Sequence, residues 1–171
     1  MLLYTLEKSE ELENLAAQLA EERHVQVIRI VDAIRKVDKY VCRGFMSPAE
    51  FVGLFANASC IVTNSSHGLM FSCIFEKEFH LAYQKEKNAP NSRLMDFVTE
   101  YGLETRVFGT SSYAPEKAVD YHKIQERLQD RRDESRNYLQ GICGFRTGVT
   151  GSMSRSHCCG CRACELICSK H

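Results

Sequence analysis

Five cysteines fall in the last fourteen residues, and four of them, Cys158, Cys161, Cys164 and Cys168, are spaced C-x2-C-x2-C-x3-C. Three thiolates on one tight loop suit three corners of a 4Fe–4S cube, and in the two-cluster version of this run the fourth cysteine serves the other cluster. Here Ser169 stands where that run carries proline, and the sequence given stops at His171. The expectation is an incomplete ligand set, with Cys158, Cys161 and Cys164 on one cluster and Cys159 or Cys168 as substitutes for the fourth ligand. Zinc is the competing metal, held by the same four cysteines with His157 or His171 in reserve. A tail that holds no stable metal is the third outcome.

The second stretch that can do chemistry is "SCIVTNSSHGLMFS", residues 59 to 72. A strand running straight into a helix through small polar residues presents backbone N–H groups and a helix N-terminus to an anion. In an open α/β sheet that junction lies at the carboxyl end of a strand, where ligands bind. Thr63, Asn64, Ser65, Ser66 and His67 all fall there, and His67 reads as a phosphate ligand or a proton-transfer group. The plainer reading is that Asn64 and the serines cap the helix and that His67 is a satisfied histidine near its start. Read from the residues alone, the two are evenly matched.

The elements that must position this junction can be read along the chain. "MLLYTL" is an apolar strand. "EKSEELENLAAQLAEERH" puts Leu12, Leu15, Ala16 and Leu19 on one helical face, acids early and Arg23 and His24 late, in the order a helix dipole favours. "VQVIRIV" is β-branched over strand length. "SPAE" combines Ser47 as cap, Pro48 at the first helical position and Glu50 three residues after the cap, and Phe51, Leu54, Phe55 and Ala58 then face a core. "CIVTN" is a strand, "SSHGLMFSCIF" a buried helix and "EFHLAYQ" a strand. "KEKNAPNSR" is a polar loop, "RLMDFVTEY" a helix stopped by Gly102, and "TRVFG" a short last strand. Strands alternating with helices predict an α/β fold, a Rossmann-like, mainly parallel sheet with helices on both faces. Residues 116 to 142 read as one long charged helix with a thin stripe of Val119, Ile124, Leu128, Leu139 and Ile142. The domain boundaries expected are 1–112 for the Rossmann-like part, 113–143 for the surface helix, 144–157 for a glycine-bearing linker and 158–171 for the cysteine motif.

Three stretches, "SPAEFVGLFANASCIVTNSSHGLMFSCIFEKEFHLAY", "SRLMDFVTEYGLETRVF" and "RRDESRNYL", together resemble the C-terminal half of the polysaccharide pyruvyl transferase family, over about residues 1 to 142. The resemblance implies transfer of pyruvyl from phosphoenolpyruvate to sugar hydroxyls, on the second of two Rossmann-like halves arranged like a GT-B glycosyltransferase. It places His67 at the phosphoenolpyruvate site, with Asn64, Ser65, Ser66 and Gly68 around the donor. It also brings in Arg93 as an arginine that precedes the following helix, where paired N–H donors suit a phosphate or a carboxylate; a solvated residue at a helix start is the alternative for Arg93. Such a transfer needs an acid to protonate the methylene carbon and a base to take the hydroxyl proton, and His67 can serve as either. The cysteine tail resembles the start of the ferredoxin-like segment that heads coenzyme F420 hydrogenase/dehydrogenase beta-subunit proteins. A chain that opens inside one domain and stops inside another is expected to be a fragment of a longer gene product.

Bulk properties narrow the alternatives. With 22 basic and 22 acidic residues the net charge is zero, so no global field favours nucleic acid or an anionic membrane surface. No apolar run approaches the roughly 20 residues needed to cross a bilayer, and no signal peptide opens the sequence. The remaining cysteines, Cys42, Cys60, Cys73 and Cys143, sit among apolar neighbours and read as plain core residues in a reduced, cytoplasmic protein. Three functional classes follow: a pyruvyl transferase domain acting on a saccharide acceptor, an iron–sulfur electron-transfer module with a redox partner on a Rossmann-like carrier, and an inactive fragment.

Overall fold

A computed structural model of the chain describes residues 1–31, 40–44, 46–85 and 91–143. The linker and Cys158, Cys161, Cys164 and Cys168 lie outside the described residues. The chain divides into two compact units, Met1–Asp130 and Arg131–His171. The first carries a five-stranded sheet made of β1 (Leu2–Tyr4), β2 (Ile28–Ile30), β3 (Val41–Arg43), β4 (Cys60–Thr63) and β5 (Glu78–Leu81). The strands run in the order β3-β2-β1-β4-β5 and every pairing is parallel. This is the Rossmann-like sheet that the alternation of strands and helices predicts.

Side chains alternate across the sheet, and each face finds its helices. On one face Leu3, Cys60 and Val62 pack with Leu12, Ala16 and Leu19 of α1 (Glu10–Glu22). On the other, Leu2, Ile61, Phe79 and Leu81 pack with Phe55 of α2 (Pro48–Ala56), Leu69 and Cys73 of α3 (Ser66–Ile74), and Leu94 and Val98 of α4 (Ser92–Tyr101). Phe55 is completely buried, and the rings of Tyr4, Phe51 and Phe71 stand 5.1 to 5.6 Å from its own. Burial of one such ring contributes about 1.5–3 kcal/mol.

Local signals hold where the chemistry is strong. Ser47 accepts the Glu50 N–H, and the Glu50 carboxylate takes the Ser47 N–H at 2.7 Å, which completes the expected capping box. Gly102 ends α4 in the left-handed region, at φ 67°, as its position predicts. The long last helix, α5 (Tyr121–Cys143), packs Ile124 and Leu128 into the first unit, whereas Leu139 of the predicted stripe is exposed. The described part of the second unit is the remainder of α5, where Tyr138 is also exposed.

Two elements differ from expectation. Residues 41–43 add a strand, β3, at the sheet edge. "TRVFG" is not a strand: Glu104–Arg106 form a 3-10 turn, Val107 makes one isolated bridge to Leu81, and Gly109 at φ 81° turns the chain away. Phe108 donates its N–H to the Leu81 carbonyl, so the ladder ends after a single rung.

Candidate active site

The sheet order reverses between β1 and β4, because the chain builds outward from β1 to β3 on one side and from β4 to β5 on the other. In open α/β sheets such a reversal opens a crevice at the carboxyl ends of the two strands. A cavity of about 240 Å³ lies there, lined by Glu7, Lys8, Glu10 and Glu11 after β1, by Asn64 after β4, and by Tyr83 and Lys85 after β5. His67 is not among its lining residues. It is exposed in the first turn of α3.

Two helix N-termini meet this edge, and their charges separate their roles. The first turn of α1 carries Glu10, Glu11 and Glu13, whereas the first turn of α3 carries no acid. Both termini offer unsatisfied N–H groups and a positive dipole end, but only α3 leaves them uncompensated for an incoming anion. Arg93 is exposed in the first turn of α4, which also carries no acid and which packs against α3.

Each residue of "TNSSHG" has a distinct place. Thr63 ends β4 fully buried, and its Oγ1 accepts the Ser65 N–H at 3.1 Å. Asn64 is buried with its amide spent on the loop between β1 and α1: Oδ1 accepts the Leu6 N–H at 2.8 Å and Nδ2 donates to the Glu7 carbonyl at 3.2 Å. Asn64 therefore shapes the crevice wall through its backbone neighbours. Ser65 occupies the N-cap position of α3, but its hydroxyl caps nothing, contrary to the expectation that the serines cap the helix. That hydroxyl is completely buried and has no hydrogen-bond partner. A buried hydroxyl without a partner costs roughly 1–3 kcal/mol, a deficit that an acceptor placed at the helix terminus would remove. Ser66 is half-buried and Gly68 buried.

Gly68 explains how α3 comes so close to the strand. A Cβ built there would stand 2.2 Å from Thr63 Oγ1 and 2.9 Å from Thr63 Cβ. Only glycine lets the helix terminus press onto the end of β4, which fixes the positions of Ser65 and His67 relative to the sheet.

The structure therefore groups Asn64, Ser65, Ser66, His67 and Gly68 at one junction, with Arg93 one helix away. Sequence reasoning missed Gln84, whose side chain donates to the Asn64 carbonyl at 3.1 Å while Asn91 bonds its backbone on both sides. Its position just past the last residue of "EFHLAY" was the available signal, since residues there sit at the ligand edge. Lys85 was missed as well, and it pairs with Glu11 across the cavity at 2.6 Å.

Residues 2–83 match the family model described as polysaccharide pyruvyl transferase. The matched stretch runs from β1 to just past β5, includes the whole "TNSSHG" junction and stops before Arg93. It is shorter than the resemblance over residues 1 to 142. No curated protein and no solved structure matches the chain. Among the described residues, no helix is long and apolar enough to cross a membrane.

Proposed function

We propose that the Met1–Asp130 unit is the donor-binding part of a pyruvyl transferase that moves pyruvyl from phosphoenolpyruvate to hydroxyls of a saccharide. The observation that carries the reading is the junction at the start of α3. There the buried, unpartnered Ser65 hydroxyl and an acid-free helix terminus stand beside the exposed imidazole of His67, inside the stretch that the family model matches. The phosphate of the donor takes the α3 terminus and the Ser65 hydroxyl. In this reading Arg93, exposed in the first turn of α4, holds a second anionic group of the same molecule through paired N–H donors.

The crevice beside it suits the other substrate. Glu7, Glu10 and Glu11 outnumber Lys8 and Lys85, so the lining repels a phosphate and accepts hydroxyl donors, and Tyr83 offers a ring to a sugar face. The division of labour follows from charge, with the anion at α3 and the polyol at the α1 side of the switch point.

In the first step a proton is added to the methylene carbon of phosphoenolpyruvate, and a sugar oxygen bonds to the adjacent carbon as its own proton leaves. In the second, a neighbouring hydroxyl displaces phosphate at that carbon and closes the ketal. In the first step the proton gained by carbon balances the one lost by the hydroxyl, and in the second the neighbouring hydroxyl's proton leaves with the phosphate, so one imidazole can take and return a proton within each step. General acid–base assistance of this kind is worth about 10²–10⁴ in rate. For the tail we propose, on spacing alone, that Cys158, Cys161, Cys164 and Cys168 form an iron–sulfur ligand loop.

The test is phosphorus NMR of phosphoenolpyruvate titrated with the full chain. Wild type is expected to broaden and shift the donor resonance, Ser65→Ala to weaken the effect, and Arg93→Ala to weaken it further. Resonances that respond equally to all three proteins would refute the donor site.

A further inference from the structure

At the opposite end of the sheet from the crevice, β4 and β5 begin with a second cluster. Glu78 and His80 are two residues apart on β5 and so face the same side, and Cys60 is the register partner of Glu78 on β4. One ligand atom from each of Cys60, Glu78 and His80 lies within 4.8 Å of the others. We infer that these three side chains form a zinc site, Cys60 Sγ, Glu78 Oε1 and His80 Nε2, with a fourth position open to solvent.

The geometry of His80 is the independent observation. The residue is 1% exposed, and Nε2 is buried without a hydrogen-bond partner. Its other nitrogen, Nδ1, lies 2.6 Å from the Tyr113 hydroxyl, an outer partner of the kind that orients metal-bound histidines. A metal on Nε2 commits the ring to carrying its proton on Nδ1 and donating it to Tyr113. His80 Nε2 and Glu78 Oε1 are 3.6 Å apart, close to the ~3.4 Å edge of a tetrahedron built on zinc–ligand bonds of about 2.0–2.2 Å. Bringing the sulfur onto that edge takes a shift of the order of 1 Å.

Glu78 can bind a metal without giving up its present partner. Arg23 holds both carboxylate oxygens, NH2 to Oε1 at 2.6 Å and NH1 to Oε2 at 2.8 Å, so Oε1 can turn to the metal while Oε2 keeps the guanidinium. Thiolate and carboxylate together cancel the charge of a divalent ion, and a sulfur, nitrogen and oxygen set suits zinc over magnesium or calcium. The cluster opens on a cavity of about 460 Å³ lined by Arg23, Phe108 and Tyr113, which supplies the water for the fourth position. Binding forms three ligand bonds and releases one proton, that of the Cys60 thiol, whose pKa burial pushes up to about 11 in the metal-free protein. The site is separate from the donor junction, which lies at the carboxyl end of β4.

The test uses the full chain with Cys158, Cys159, Cys161, Cys164 and Cys168 replaced by serine, stripped with a chelator and titrated with zinc and with cobalt. The expected result is one equivalent of either metal, one proton released per zinc, and a thiolate-to-cobalt charge-transfer band. His80→Gln and Cys60→Ala should abolish binding, and Tyr113→Phe should weaken it about tenfold. No bound metal, a cobalt spectrum without the thiolate band, or binding that survives His80→Gln overturns the assignment. If Cys60→Ala fails to fold, X-ray absorption of the zinc-loaded parent decides: one sulfur neighbour supports the site, and none or several overturns it.

Discussion

Replacing Gly68 by alanine tests whether the close approach of α3 to β4 builds the donor junction. In an ordinary helix interior glycine to alanine gains roughly 0.5–1 kcal/mol, so a neutral site would be stabilised. Here the new Cβ would meet Thr63 Oγ1 at 2.2 Å, Cβ at 2.9 Å and Cγ2 at 3.0 Å. Turning the Thr63 side chain away relieves the first contact only by breaking its hydrogen bond from the Ser65 N–H, a loss of about 1 kcal/mol. It leaves the contact with Thr63 Cβ, which cannot rotate. The helix must therefore move, and overpacking of this kind costs about 1–3 kcal/mol. The balance is a net destabilisation of about 1–2 kcal/mol, once the propensity gain and the packing cost are set against each other. Urea unfolding of Gly68→Ala, alone and with Thr63→Gly, reads it directly: the alanine should cost clearly less in the Thr63→Gly background, which lacks all three contacting atoms. A Gly68→Ala protein as stable as wild type, or an equal cost in both backgrounds, would refute the reasoning.

Ser65→Ala should weaken phosphoenolpyruvate binding yet leave stability unchanged or raise it by about 1 kcal/mol, since it removes a buried hydroxyl that has no partner; a loss of stability in urea would mean that the hydroxyl is bonded after all. Cys60 and Cys73, whose pKa values burial pushes up to about 11 and about 12, should resist alkylation at pH 8 in the folded protein and react once it unfolds; mass mapping of labelled peptides checks this, and prompt labelling of either contradicts their burial. The hydrogen bonds from Ser47 hold the Glu50 carboxyl below its ordinary range, so its contribution to stability is complete above the unfolded-state pKa and lost as pH falls through the lowered folded-state value. Glu50→Gln, which removes the titrating group, should flatten the acid side of the pH–stability curve over that window, and an unaltered slope would show that the capping box does not couple to pH.

The fold was readable where one segment carries its own signal. The capping box at Ser47, the apolar "CIVT" and the glycine after α4 each rest on a few neighbouring residues. β3 was missed because two half-buried residues and an exposed arginine at a sheet edge show no apolar run. "TRVFG" misled because its residues favour a strand, while Gly109 and the 3-10 turn before it decide otherwise. At the site, the junction itself was legible, since a strand meeting a helix through small polar residues is a local pattern. The unbonded Ser65 hydroxyl was not, because composition says that serine caps. Nor was the pairing of His80 with Tyr113, 33 residues away, which only the folded chain brings about.

Ketal formation by the complete protein, with phosphoenolpyruvate and a panel of saccharides, tests the central claim most directly. Proton NMR follows the pyruvyl methyl signal on the sugar, and phosphate release follows the donor. The account predicts both in wild type and a loss of at least about 10²-fold in His67→Ala, with circular dichroism and urea stability unchanged because the side chain is exposed. Near-normal ketal formation by His67→Ala, or no phosphoenolpyruvate-dependent product with any acceptor in wild type, would contradict it.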